Sequence, residues 1–168
     1  MTLLIRSPIV MQKAQEELRN VIGKKSKIIE DDLPKFAYLK AVIKETLRLY
    51  PPAPLLKTLV YVNAWAIGRD PKSWDNPGEF LPERFMASCD IDFKGNDFEL
   101  IPFGVGQRIC PGMPIGVVMV ELLLANLLYL FDWGLPNDMR KEDIDFDAIP
   151  GITMHKRNEL FLLASVHF

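Results

Sequence analysis

Apolar residues return every three or four positions from Pro8 to Gly23, at Val10, Ala14, Leu18 and Val21. That period predicts an amphipathic helix. Ser7 stands at its cap, Pro8 in its first turn and Gly23 past its end. The lysines of 24–27 read as a solvated loop. Asp31-Asp32-Leu33-Pro34 introduces a second helix over about 36–50, stopped by Pro51-Pro52. Its stripe is Leu39, Val42, Ile43, Thr46 and Tyr50. Glu45 and Arg48 fall together on the opposite side, over Ala41.

The rest of the pattern is less regular. The β-branched and aromatic start of 59–67 predicts a strand. Residues 113–131 are almost continuously apolar, long enough to raise a membrane span. Pro114, Gly116, Glu121 and Asn126 argue against lipid, and a helix buried on most sides is expected instead. After a polar stretch over 136–147, the pattern predicts a terminal hairpin of 152–155 with 159–164 around Lys156-Arg157-Asn158. The fold class expected is mainly α with small β segments, in one domain over 1–168.

Composition narrows the classes. The chain has 168 residues, 49% hydrophobic and 25% charged, which is globular rather than disordered. A net charge of −2 gives no footprint for nucleic acid. Two cysteines, Cys89 and Cys110, are too few for a disulfide framework or a cysteine-rich zinc site. His155 and His167 lie far from either and read as surface histidines. Residues 1–10 do not have the layout of a signal peptide.

One stretch carries chemistry: Phe103-Gly104-Val105-Gly106-Gln107-Arg108-Ile109-Cys110-Pro111-Gly112. Gly104, Gly106 and Gly112 remove side chains and let a large flat ligand approach the backbone. Pro111 suits the first position of the following helix, which puts Cys110 at a helix N-terminus where N–H groups favour a thiolate. A lone thiolate suits one axial bond to a metal already held by something else, such as an iron porphyrin. The plain alternative is a glycine-rich turn with Cys110 packed as a small hydrophobe.

The spacing Phe-x-x-Gly-x-Arg-x-Cys-x-Gly resembles the cysteine loop of the cytochrome P-450 haem-thiolate monooxygenases, most closely the plant microsomal type. Three further motifs agree in order: Glu45-x-x-Arg48 before Pro-Pro, Asn63 to Pro71, and Pro82-Glu83-Arg84-Phe85. The resemblance implies haem as cofactor and Cys110 as the axial ligand to its iron. It implies Arg108 on a haem propionate, Phe103 against the cysteine side of the ring, and Pro102, Gly104, Gly106 and Gly112 in the same cradle. Glu45, Arg48 and Arg84 would form a buried charged triad that positions the cysteine loop. Ala53, Pro54, Leu55 and Ile152 would face substrate.

The likeness also implies insertion of one oxygen atom of O2 into a small lipophilic substrate. Electrons would come from an NADPH-dependent flavoprotein reductase at the endoplasmic reticulum membrane, on its cytosolic side. The chain matches the C-terminal third of such proteins, and Met1 to Arg6 would be the tail of their long central helix. After Leu56 it lacks a stretch that holds a hairpin in relatives, along with a basic residue for a propionate. The alternative function is a haem-binding or partly folded fragment without turnover.

Overall fold

A computed structural model describes the chain apart from residues 58–60, 87–89, 137–138, 150, 152 and 168, and the side chains of Leu56 and Lys57. Cys89 and Ile152 therefore lie outside the described residues, as do parts of the strands expected at the start of 59–67 and over 152–155. The elements in chain order are α1 (Thr2–Arg6), α2 (Pro8–Ile22), α3 (Ala37–Leu49), β1 (Leu55–Lys57), β2 (Tyr61–Asn63), α4 (Ala64–Ile67), α5 (Met113–Leu130), β3 (Phe131–Gly134), β4 (Ala148–Ile149), β5 (His155–Lys156) and β6 (Leu163–Val166). Single 3-10 turns occupy Glu30–Lys35, Pro82–Phe85, Gly106–Arg108 and Lys141–Asp143.

The chain divides into two compact units. The first comprises Met1–Lys40, Ile115–Ala148 and Lys156–Phe168. In it, α2 buries Val10, Ala14, Leu18 and Ile22, whereas Val21 is exposed. The apolar face thus ends on Ile22, one position beyond the expected Val21. Ser7 occupies the cap position without a side-chain hydrogen bond, and Gly23 closes the helix at φ +65°. At the start of α3 the Glu17 carboxylate of α2 accepts from the Tyr38 and Leu39 N–H groups at 2.8 and 2.9 Å. A carboxylate on free N–H groups at a helix start is favourable by both hydrogen bonding and the dipole.

The lysine loop after α2 is clamped from α5. Asn126 exchanges two hydrogen bonds with the Ile28 backbone, both 3.0 Å. The buried Tyr129 hydroxyl lies 2.7 and 2.6 Å from the Gly23 and Lys25 carbonyls, which share its one hydrogen. Arg19 donates to the Leu128 and Phe131 carbonyls and to Asp132, so a cation of α2 satisfies the carbonyls that end α5.

Helix α5 is not buried on most sides. Only Ala125, Leu128 and Tyr129 are buried, while Ile115, Met119, Val120 and Leu123 are exposed. Its length and composition would suffice to cross a membrane. Its polar side chains argue otherwise: Asn126 is committed to Ile28, and Glu121 is half-buried with its carboxyl pushed up by that burial, partly opposed by Lys40. On α2, Ile9 is exposed and its neighbour Val10 is buried.

The terminal hairpin is replaced by a different pairing. Strand β6 lies antiparallel to β3, with Phe131 opposite Val166 and Gly134 opposite Leu163. The His167 N–H extends the ladder to the Leu130 carbonyl at 2.9 Å. The chain end therefore pairs with the strand leaving α5 rather than with the segment just before it.

The second unit comprises Ala41–Pro114 and Ile149–His155. Strand β1 pairs with β2 antiparallel, Leu55 opposite Asn63 and Lys57 opposite Tyr61. Strand β2 falls at the end of the expected strand, and beyond Asn63 the chain makes the turn of helix α4. The Asn63 side chain caps it by accepting from the Ala66 N–H at 3.0 Å. Alanine and isoleucine after a good cap follow the helix even though the flanking residues favour a strand. In α3 the apolar stripe ends on buried Leu49, and Tyr50 is exposed.

Candidate functional site

The site residues described belong to the second unit, built around two buried side chains of α3. Glu45 and Arg48 expose nothing to solvent. Arg48 Nε and Nη2 each donate to Glu45 at 2.7 Å, a forked pair of charge-assisted bonds. Its remaining N–H groups reach backbone: Nη1 the Gly68 and Pro77 carbonyls, Nη2 the Glu79 carbonyl at 3.0 Å. Glu45 Oε1 also accepts from the Leu81 N–H at 2.9 Å and Arg84 Nε at 3.1 Å. Arg84 continues to the Asp75 carbonyl at 2.9 Å and the Asn76 carbonyl at 3.4 Å. One carboxylate and two guanidiniums thereby collect a run of carbonyls from 68–79, a stretch with little regular structure of its own.

Gly68 makes this approach possible, since a Cβ there would overlap the Arg48 carbonyl. Lys44, next to Glu45, was not legible as a site residue. A lysine on a helix reads as solvated, yet its ammonium lies 3.1 Å from the Ile91 carbonyl and 3.7 Å from Asp92. It also sits 5.8 Å above the Phe85 ring. Phe93, two residues further on, meets Phe103 edge-on at 5.5 Å between centroids. The contacts from α3 thus run to the first residue of the cysteine loop.

The loop is closed by its own backbone. The Cys110 N–H donates to the Phe103 carbonyl at 2.9 Å, and the Ile109 N–H to the Gly106 carbonyl at 3.2 Å. Gly104 and Gly106 adopt φ of +79° and +65°, which other residues reach only with strain. Pro102 is buried, Phe103 half-buried, and Arg108 and Cys110 are exposed. A Cβ on Gly112 would lie 3.8 Å from Cys110 Sγ.

Helix α5 starts later than expected. Its first residue is Met113, whose N–H donates to the Cys110 carbonyl at 3.2 Å. Pro114 rather than Pro111 supplies the fixed φ of the first turn. Cys110 stands about one turn ahead of the helix instead of immediately before its first residue.

Among the described residues no group of three or more His, Cys, Asp or Glu side chains could hold a metal ion. A single exposed thiol with glycines around it fits a metal carried by its own macrocycle. Arg108, exposed and without a partner among the described residues, fits an anionic substituent of that macrocycle. His167 is committed to Asp132, 2.9 Å away.

Of the residues expected to face substrate, Ile152 lies outside the described residues, while the Met154 N–H donates to the Pro52 carbonyl, next to Ala53, at 2.8 Å. Leu55 is exposed.

The chain is similar to several known proteins. The family model described as Cytochrome P450 matches residues 1–163. A 6,7,8-trihydroxycoumarin synthase of Pastinaca sativa is 52% identical over 185 aligned positions, covering 96% of this chain and 37% of that protein. Cytochrome P450 71A1 of Persea americana is 54% identical over 182 positions, covering 98% and 36%. These alignments are longer than the 168-residue chain, so the relatives carry internal residues that it lacks. The chain spans little more than a third of their length. A solved zebra fish cytochrome P450 with progesterone superposes with a TM-score of 0.82 at 25% identity, covering 99% of this chain and 40% of that one. With family match, relatives and fold in agreement, the chain belongs to the cytochrome P450 family.

Proposed function

We propose that this chain is the haem-binding part of a haem-thiolate monooxygenase, with Cys110 as the axial ligand to the haem iron. Haem is the cofactor of the family. The observation that carries the reading is the loop itself: an exposed thiol on a backbone closed between Phe103 and Cys110, with an unpartnered Arg108 beside it. Arg108 would pair with a propionate. Phe103 would pack against the ring, and Pro102, Gly104, Gly106 and Gly112 would form the cradle. Bound haem, with a thiolate donating electron density to its iron, supplies oxygen activation. The protein's own part is to hold Cys110 oriented, which the backbone bond from Cys110 to Phe103 and the α3 contacts serve.

Ala53, Pro54 and Leu55 would border the substrate, together with Ile152, and the substrate class would be small and lipophilic. Electrons would come from an NADPH-dependent flavoprotein reductase. In the full-length context the protein would sit on the endoplasmic reticulum membrane, facing the cytosol.

The test is a carbon monoxide difference spectrum of the reduced, haem-reconstituted chain. A strongly red-shifted Soret band is expected, and Cys110→Ser should abolish it while leaving the circular dichroism unchanged, since Cys110 is exposed. Persistence of the band in Cys110→Ser would overturn the assignment.

A further inference from the structure

The charged cluster of α3 has a face that its hydrogen bonds do not use. All five N–H groups of Arg48 are spent in the plane of its guanidinium, on Glu45 and on the Gly68, Pro77 and Glu79 carbonyls. Anything further that holds this group must act on a flat face. The Trp74 ring does so, with its centroid 5.2 Å from Arg48 Cζ. The same ring lies 5.9 Å from Arg84 Cζ, and Phe85 leans on it at 5.6 Å between centroids.

The polar end of the indole points the same way. Trp74 is buried, and its Nε1 has no hydrogen-bond partner among the described residues. A buried donor without an acceptor is unfavourable, so hydrogen bonding does not explain a tryptophan here. Its π-face does, because a desolvated indole attracts guanidinium more strongly than any other side-chain ring. The chain direction adds to this. The carbonyls that receive Arg84 belong to Asp75 and Asn76, the two residues after Trp74. The backbone N–H of Trp74 is itself tied to the Asp70 carbonyl at 2.9 Å. The ring and the acceptors are therefore carried by one short segment.

We propose that Trp74 is a positioning residue, whose ring face holds Arg48 and Arg84 together on Glu45 and thereby fixes the segment that leads to the cysteine loop. The contacts stand by themselves; the consequence for haem rests on the proposed function.

The test replaces Trp74 with mono-, di- and tetrafluorinated tryptophan in the full chain, with Trp65→Phe and Trp133→Phe so that one site is labelled. Fluorination weakens the ring's attraction for cations with little change of shape. The thermal midpoint of the haem-free chain should fall stepwise with fluorine count, by a few degrees in all. In the reconstituted chain the thiolate Soret fraction should fall in the same order. Trp74→Phe, which keeps a ring and removes the unpaired N–H, should retain more of both than Trp74→Leu. A midpoint independent of fluorine count, or Trp74→Phe no better than Trp74→Leu, overturns the proposal. Absence of a thiolate band even with the natural indole overturns the haem reading instead, and the haem-free series still decides the role of Trp74.

Discussion

Arg48 and Glu45, three residues apart on α3, form a forked ion pair at 2.7 Å that is wholly shut off from water. On an exposed helix such a pair contributes a few tenths of a kcal/mol. In a dry interior the attraction is offset by desolvation, so the pair is a poor source of net stability. Removing one partner, however, strands a buried charge. Arg48→Met should therefore destabilise the chain by about 3–5 kcal/mol. Urea unfolding would read this as an early or non-cooperative transition, and a wild-type midpoint would contradict it. Arg48→Lys should recover little, because an ammonium cannot reproduce five in-plane bonds.

Two glycines should respond oppositely to alanine. At Gly68 a Cβ would overlap the Arg48 carbonyl and touch its Cγ, so the loop would have to leave the guanidinium it serves. Gly68→Ala should cost about 2–3 kcal/mol. At Gly116, inside α5, a Cβ meets nothing within 4 Å. Gly116→Ala should stabilise by up to about 1 kcal/mol through helix propensity. Thermal melts of both variants decide it, and equal effects would refute the close approach at Gly68.

The N-terminal end of α3 depends on a residue of another helix. Glu17→Ala removes the acceptor of the Tyr38 and Leu39 N–H groups and should cost about 1 kcal/mol or more. Hydrogen exchange should speed up at those two amides specifically. Unchanged exchange there would show that the cap carries no weight.

Two carboxyls give opposite pH responses. Lys35 and then Lys25 hold the Asp32 carboxyl well below the usual carboxylate range. A depressed acid stabilises the fold above its unfolded value, and that contribution is lost as pH falls below about 4. Asp32→Asn should therefore lower the thermal midpoint at pH 7, with the gap closing in acid. Glu121 is pushed up by burial, with Lys40 opposing. A raised acid disfavours the folded state once it must ionise, so Glu121→Gln should raise the midpoint at pH 7. That gain should vanish below about pH 4, where Glu121 is protonated in both states. A midpoint difference that does not change with pH would contradict either assignment.

Much of the second unit could be read from residue order because its determinants are local. The glycines at 104 and 106 dictate backbone that only glycine takes easily, and Phe103 to Cys110 spans one closed loop. In the first unit α2 follows from its period and Gly23, and α3, which continues into the second, from its period and the Pro-Pro stop. The start of α5 was misplaced because Pro111 and Pro114 are equally good helix openers. Only the Met113 to Cys110 hydrogen bond distinguishes them.

What residue order could not decide is which side chain meets which across many positions. Glu45 and Arg48 have the spacing of an ordinary surface pair. Their burial depends on carbonyls twenty or more residues away folding around them. Lys44, Glu17 and Trp74 carry no local signal, because a helical lysine, a helical glutamate and a loop tryptophan each have many uses. The pairing of β6 with β3 was equally invisible, since backbone ladders form between any strands that the tertiary fold brings side by side. Local conformation was set by residue type and spacing. Partnership and burial were set by the fold, because they depend on what lies opposite in space.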